Sequence, residues 1–256
     1  MTCATPACPR RWSLTPGRIA LVASVKRPAD LAAALAALGL AGPRPVLVLV
    51  GGAAGLDPDL RRPLLDLLRA LIPVLDEAGA VVVDGGTRSG VMALMGEAAA
   101  GSGLPLLGVT AEGTLRPANP GHEGTARPAG DWADPDPSHG HFLLVPGRDW
   151  GDESPWIAAA ASVLAGDLPS LTLMAGGGEV TARDLAEGLR LGRPTLILAG
   201  TGGTADAFAA YLSGTGPCPF ELPPRAAGLL DVMDLNRAAA DLPTLVRRLL
   251  GQGPDG

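Results

Sequence analysis

Short apolar runs recur along the chain at Arg18–Ala23, Pro45–Val50, Ala80–Val83, Leu104–Val109, His141–Val145, Leu171–Met174 and Pro194–Leu198. Each is four to six residues long and nearly continuous in Val, Ile and Leu. A strand covered on both faces has this pattern, whereas a half-exposed strand alternates. Between the runs lie helical stretches: Ala29–Leu38, Leu60–Ala78, Val91–Ala100, Ser154–Leu164, Thr181–Leu191 and Thr204–Leu212. The stretch from Leu60 shows the period most plainly, with Leu64, Leu67, Leu68, Leu71, Val74 and Leu75 three and four apart. Strand–helix alternation at these lengths predicts right-handed crossovers and an α/β fold: a Rossmann-like, doubly wound, mostly parallel sheet flanked by helices. Near the end, Leu242, Leu245, Val246, Leu249 and Leu250 form one apolar helical face, predicting an amphipathic helix over 236–251 packed on the domain. The domain itself spans 17–212. Residues 1–16 read as a loose tail, and 213–235 as a Gly/Pro-rich loop.

Glycine marks where the runs end. Four read Val50-Gly51-Gly52, Asp84-Gly85-Gly86, Ala175-Gly176-Gly177-Gly178 and Ala199-Gly200-Thr201-Gly202-Gly203, each before a helix. One such turn is ordinary loop chemistry. Four at the carboxyl ends of parallel strands share one sheet edge, where ligands of open α/β sheets bind. Bare backbone there exposes amide N–H groups and the positive end of the helix dipole, a combination suited to phosphate. The turn after Asp84 adds Thr87, Arg88, Ser89, Gly90 and Met92. Arg88 offers a fork for phosphate or carboxylate, and Thr87 or Ser89 serves equally as an N-cap. Asp206 suits either ribose hydroxyls or its own helix dipole. A Gly86→Val change is expected to fill this pocket and leave the fold intact.

Composition narrows the classes. The 256 residues carry 20 Lys+Arg against 26 Asp+Glu, a net charge of −6, which argues against a nucleic-acid binder. No apolar run approaches the roughly 18 residues of a membrane helix. Lys26 is the only lysine and no Gly-Lys pair occurs, so a P-loop is excluded. Cys3, Cys8 and Cys218 form no CxxC, which points to a reduced, cytoplasmic setting. Arg10-Arg11 is not followed by the apolar stretch of a signal peptide. The segment 111–141 carries no helix or strand pattern and holds His122, His139 and His141. Their spacing suits no metal site, and the segment is expected to fold over the cleft edge, with Trp132 and Trp150 available to stack on a base.

Acidic residues at helix starts, Glu153, Glu179 and Asp206, are the candidates for a hydrolytic role, and each serves equally to oppose a helix dipole. Cleavage of a nucleotide N-glycosidic bond needs a carboxylate and a proton donor for the leaving base.

Taken in order, Gly51-Gly52, the Gly-Gly-Thr-x-x-Gly-Val-Met stretch from Gly85 to Met92, Asp136-Pro137-Ser138-His139-Gly140-His141-Phe142, Gly176-Gly177-Gly178 and Gly200 to Asp206 resemble the SLOG superfamily. More narrowly, they resemble the prokaryotic form of the ligand-sensing domain of melastatin-type TRP channels. The resemblance implies a Rossmann-like fold whose glycine turns bind a nucleotide derivative such as ADP-ribose or NAD. It requires no further cofactor. A sensing module of this kind would pass its output to an effector protein, and related folds often pair as homodimers. The LOG-type phosphoribohydrolases of the superfamily carry Pro-Gly-Gly-x-Gly-Thr-x-x-Glu. Gly202-Gly203-Thr204 is followed here by Asp206, with neither that Glu nor that Pro.

Overall fold

The computed structural model describes residues 9–52, 56–116, 132–224 and 226–251. Nine strands form one sheet: β1 (Arg10–Thr15), β2 (Arg18–Ser24), β3 (Val46–Gly51), β4 (Val81–Asp84), β5 (Leu106–Ala111), β6 (His141–Val145), β7 (Ser170–Ala175), β8 (Thr195–Ala199) and β9 (Leu230–Asp234). Their order is β1-β2-β6-β5-β4-β3-β7-β8-β9. Every pairing is parallel except β1 with β2. The helices are α1 (Leu31–Ala37), α2 (Pro58–Glu77), α3 (Gly90–Ala98), α4 (Ser154–Ala165), α5 (Glu179–Arg190), α6 (Gly203–Leu212) and α7 (Leu235–Leu249).

The sheet is covered on both faces, and β3 shows how the sequence arranges this. Leu47 and Leu49 pack with α2, α3 and α7, and Val46, Val48 and Val50 with α1, α4, α5 and α6. Successive side chains point to opposite faces, so a strand between two helical layers is apolar at every position. Within the expected 236–251 stretch the chain forms α7, which lays Leu242 and Val246 against the α2 layer.

Two expectations fail at the sheet's margins. Arg10–Thr15, read as tail, is the edge strand β1, whose Trp12 and Leu14 pack beside Phe142. Leu230–Asp234, read as loop, is the opposite edge strand β9. Edge strands are paired on one side only and tolerate charge, so neither carries the apolar run that marks the central strands. Of the 111–141 segment, residues 117–131, including His122, lie outside the described residues. Residues 132–140 run along the sheet edge, bridged at Thr87 to Pro135 and at Leu115 to Ala133.

The strand order decides where a site can form. From β3 the chain steps outward through β4, β5 and β6, then returns to place β7 on the other side of β3. Loops after β3 and β7 therefore leave the sheet in opposite directions and open a crevice between them.

Candidate functional site

A cavity of about 520 Å³ lies in that crevice. Its wall comes from the β3 end (Gly51, Gly52), the β4 turn and start of α3 (Gly85, Thr87, Ser89, Met92), the α4 start (Glu153, Ile157) and the α5 start (Gly178 to Thr181, and Asp184). Trp132, Ala133 and Trp150 close it. Nine predicted site residues thus meet in one wall: Gly51, Gly52, Gly85, Thr87, Ser89, Met92, Glu153, Gly178 and Glu179.

The glycines divide by what lies beside them. A Cβ on Gly85 or Gly178 would meet no atom within 4 Å, so these two give the cavity its open backbone. Gly86 faces the sheet instead. Its φ is +67°, and a Cβ would lie 2.6 Å from Gly108 Cα and 2.8 Å from the Phe142 ring. The expectation for Gly86→Val is therefore corrected: the change strikes the core before it reaches the pocket. Arg88 is exposed and outside the wall, and its amide donates to Asp134 O at 2.8 Å. Gly90 begins α3 behind the wall.

The β8 turn is not part of the cavity wall. Gly176 N donates to Thr201 Oγ1 (2.8 Å), Thr204 N to Gly177 O (3.0 Å) and Ala205 N to Gly176 O (3.1 Å). A Cβ on Gly203 would collide with the Gly177 backbone. Asp206 accepts from Gly200 N (2.7 Å) and Thr201 N (3.2 Å). Gly176, Gly177, Gly200, Thr201, Gly202, Gly203 and Asp206 therefore knit two neighbouring loops together, and Asp206 is committed to its own turn rather than to a ribose. The reason is topological: β8 lies one strand beyond the point where the chain reverses.

Asp184 is the residue the sequence reading missed. It stands on the face of α5 that buries Thr181, Leu185 and Gly188, and with Glu153 it makes a carboxyl pair in the cavity wall. Glu153 is buried, and its Oε2 accepts from Gly151 N at 3.1 Å. Burial pushes both acids upward. Asp184 reaches about 7, with the Glu153 charge adding to the rise against an opposing contribution from the Ser154 hydroxyl. Among the described residues Asp184 Oδ1 and Thr87 Oγ1 are buried without a hydrogen-bond partner. A signal was present: Gly176-Gly177 followed by Thr181-Ala182-Arg183-Asp184 has the Thr-x-x-acid spacing of the hydrolase motif, one strand before the place where Asp206 was weighed for it.

His139 is held between two carboxylates. Its Nε2 lies 2.9 Å from Asp84 Oδ1 and its Nδ1 3.2 Å from Asp136 Oδ1, all within the core. Burial works against its charge, yet Asp84 and Asp136 outweigh it and raise the imidazole to about 9. The resulting ion triad pins the 132–140 segment to the end of β4, helped by Asp136 N donating to Gly86 O at 2.9 Å. That segment carries Trp132 to the cavity, with the Arg116 guanidinium 3.5 Å from the centre of the indole. Among the described residues no group of His, Cys, Asp and Glu is arranged to hold a metal ion. No described helix is long and apolar enough to cross a membrane.

Comparison with solved structures finds the protein titled TM1055, a structural genomics target, at 21% identity. The match covers 78% of this chain and 98% of that one, with a TM-score of 0.48. A molybdenum cofactor binding protein from the phototrophic bacterium Rippkaea orientalis matches at 13% identity over 79% and 97% of the two chains, also at 0.48. No curated protein matches. The family described as "SLOG in TRPM, prokaryote" matches residues 44–241. That span runs from the start of β3 into α7 and takes in every loop of the cavity wall, and the chain belongs to this family.

Proposed function

We propose that the chain is a cytoplasmic ligand-sensing module whose cavity takes a nucleotide derivative of the ADP-ribose or NAD kind. The observation that carries this reading is the cavity itself: a 520 Å³ crevice at the chain reversal, within the roughly 300–1,000 Å³ of small-molecule sites. Two tryptophans and two unpartnered buried polar atoms border it. Trp132 and Trp150 offer faces for a base. Glu153 and Asp184 suit ribose hydroxyls, which donate hydrogen bonds to carboxyl oxygens. The described wall contains Glu153, Glu179 and Asp184 and no basic residue, so phosphate belongs at the mouth, near Ser89, the amino end of α3 and Arg88. A bound ligand would tie α3, α5 and the 132–140 segment together, and a partner protein or second copy would read that change.

The carboxyl pair favours a second reading, cleavage of the ligand's N-glycosidic bond. An acid poised near 7 can protonate a leaving base while a neighbouring carboxylate stabilises the oxocarbenium-like transition state. One experiment addresses both readings. The protein is melted with AMP, ADP-ribose, cyclic ADP-ribose, NAD and UDP, and each mixture is analysed for free base. A ligand at a hundred times its Kd raises the midpoint by roughly 5–10 °C. A shift with intact ligand supports sensing. Free base in proportion to protein supports cleavage, and Asp184→Asn should then lower its rate by about 100-fold or more. No shift with any of the five overturns the nucleotide reading.

A further inference from the structure

Below the cavity, between α4, α5 and the middle of the sheet, lies a second polar cluster that the ligand site does not use. Its centre is Arg193, 3% exposed at the entry to β8. Nε donates to Ser170 Oγ (3.3 Å), and Nη2 donates to Ala158 O (2.9 Å) and Ser162 Oγ (2.8 Å). Those contacts use three of the five guanidinium N–H groups. Nη1 makes no hydrogen bond among the described residues, and no described carboxylate pairs with the charge. Beside it stand Thr172 and Thr195, partners across β7 and β8, each with a buried hydroxyl that has no partner among the described residues. Arg193 and Thr172 converge. A Cβ on Gly188 would lie 3.5 Å from Thr172 Oγ1 and 3.7 Å from Arg193 Nη1, so the missing side chain leaves both facing one spot.

A buried cation without a counter-charge and buried hydroxyls without partners are each unfavourable. Water would satisfy the hydrogen bonds and leave the charge. A single-atom anion answers both needs. Burial favours a small ion, because Arg193, Thr172 and Thr195 are all at most 3% exposed, which leaves little room for a phosphate or carboxylate ligand. We propose that a halide ion of the chloride class binds beside Gly188, held by the free Nη1 of Arg193 and the hydroxyl of Thr172, with Thr195 next to Thr172 on the neighbouring strand. The site lies one helical turn from the carboxyl pair on both helices. Ser154, Ala158 and Ser162 share a stripe of α4, and Asp184 and Gly188 share one of α5. The ion therefore sets the α4–α5 spacing that brings Glu153 and Asp184 together.

The test uses the full chain in gluconate buffer at fixed ionic strength, with sodium chloride or bromide replacing gluconate. The melting midpoint should rise saturably, by about 3–6 °C at ten times the halide Kd. Thr172→Val keeps the shape of the side chain and should abolish the rise. Arg193→Met should do the same if it folds. Crystals soaked in bromide need no variant and should show an anomalous peak within hydrogen-bond reach of Nη1. A midpoint identical in gluconate and chloride overturns the proposal, as does density without anomalous signal. Either result would leave the α4 carbonyls and trapped water to balance Arg193 alone.

Discussion

Gly85 and Gly86 are adjacent and opposite in meaning. Gly85 opens onto the cavity and Gly86 onto Gly108 and Phe142. We expect Gly85→Val to give a folded protein that has lost ligand-induced stabilisation, read as an unchanged apo midpoint with no shift. Gly86→Val should instead unfold more easily by about 1–3 kcal/mol or more, because overpacking and a positive φ act together. Denaturant titration separates the two outcomes. His139 carries the other residue-scale prediction. His139→Asn leaves Asp84 and Asp136 buried without their cation, a loss of about 3–5 kcal/mol. Because 132–140 hangs on this triad, the variant should also alter the fluorescence of Trp132.

At the scale of elements, α7 is part of the fold and not an appendage. Leu242 and Val246 are fully buried against the α2 layer. Leu242→Ala should cost about 2–5 kcal/mol in urea unfolding. A change under 0.5 kcal/mol would mean that α7 is only loosely docked. The central strands and helices were legible in the sequence because a two-sided covering demands uninterrupted apolar residues. Val46–Val50 is legible for that reason, and so are the six strands like it. The edge strands β1 and β9 were not. Arg10, Arg11, Asp231 and Asp234 are compatible with a strand only because one side of each edge stays unpaired, and no local pattern announces this.

For the whole molecule, two buried groups give stability a pH dependence of one sign. Asp184 holds its proton up to about 7 in the folded chain and releases it near 3.9 when unfolded. Between those values the folded state binds the extra proton, so stability falls as pH rises. His139 keeps its proton up to about 9 when folded and to about 6.5 when unfolded, so its contribution is complete below 6.5 and lost by 9. The midpoint should therefore decline from pH 4 to 9. Asp184→Asn should flatten the acidic half and His139→Asn the alkaline half. A midpoint that rises between pH 6.5 and 9 would contradict the charged triad.

Hydrophobic period and glycine placement determined the layers, the parallel sheet and the edge on which a ligand site must lie, because each is a local demand of backbone geometry and burial. Which glycine turns bound the cavity was settled by strand order, a property of contacts distant along the chain. It put β3 and β7 side by side, sent the β8 turn to brace its neighbour, and joined Glu153 to Asp184 across two helices. Asp206 and Asp184 are both acids in early turns of helices that follow glycine. Only packing shows that one ties its own loop and the other faces the cavity.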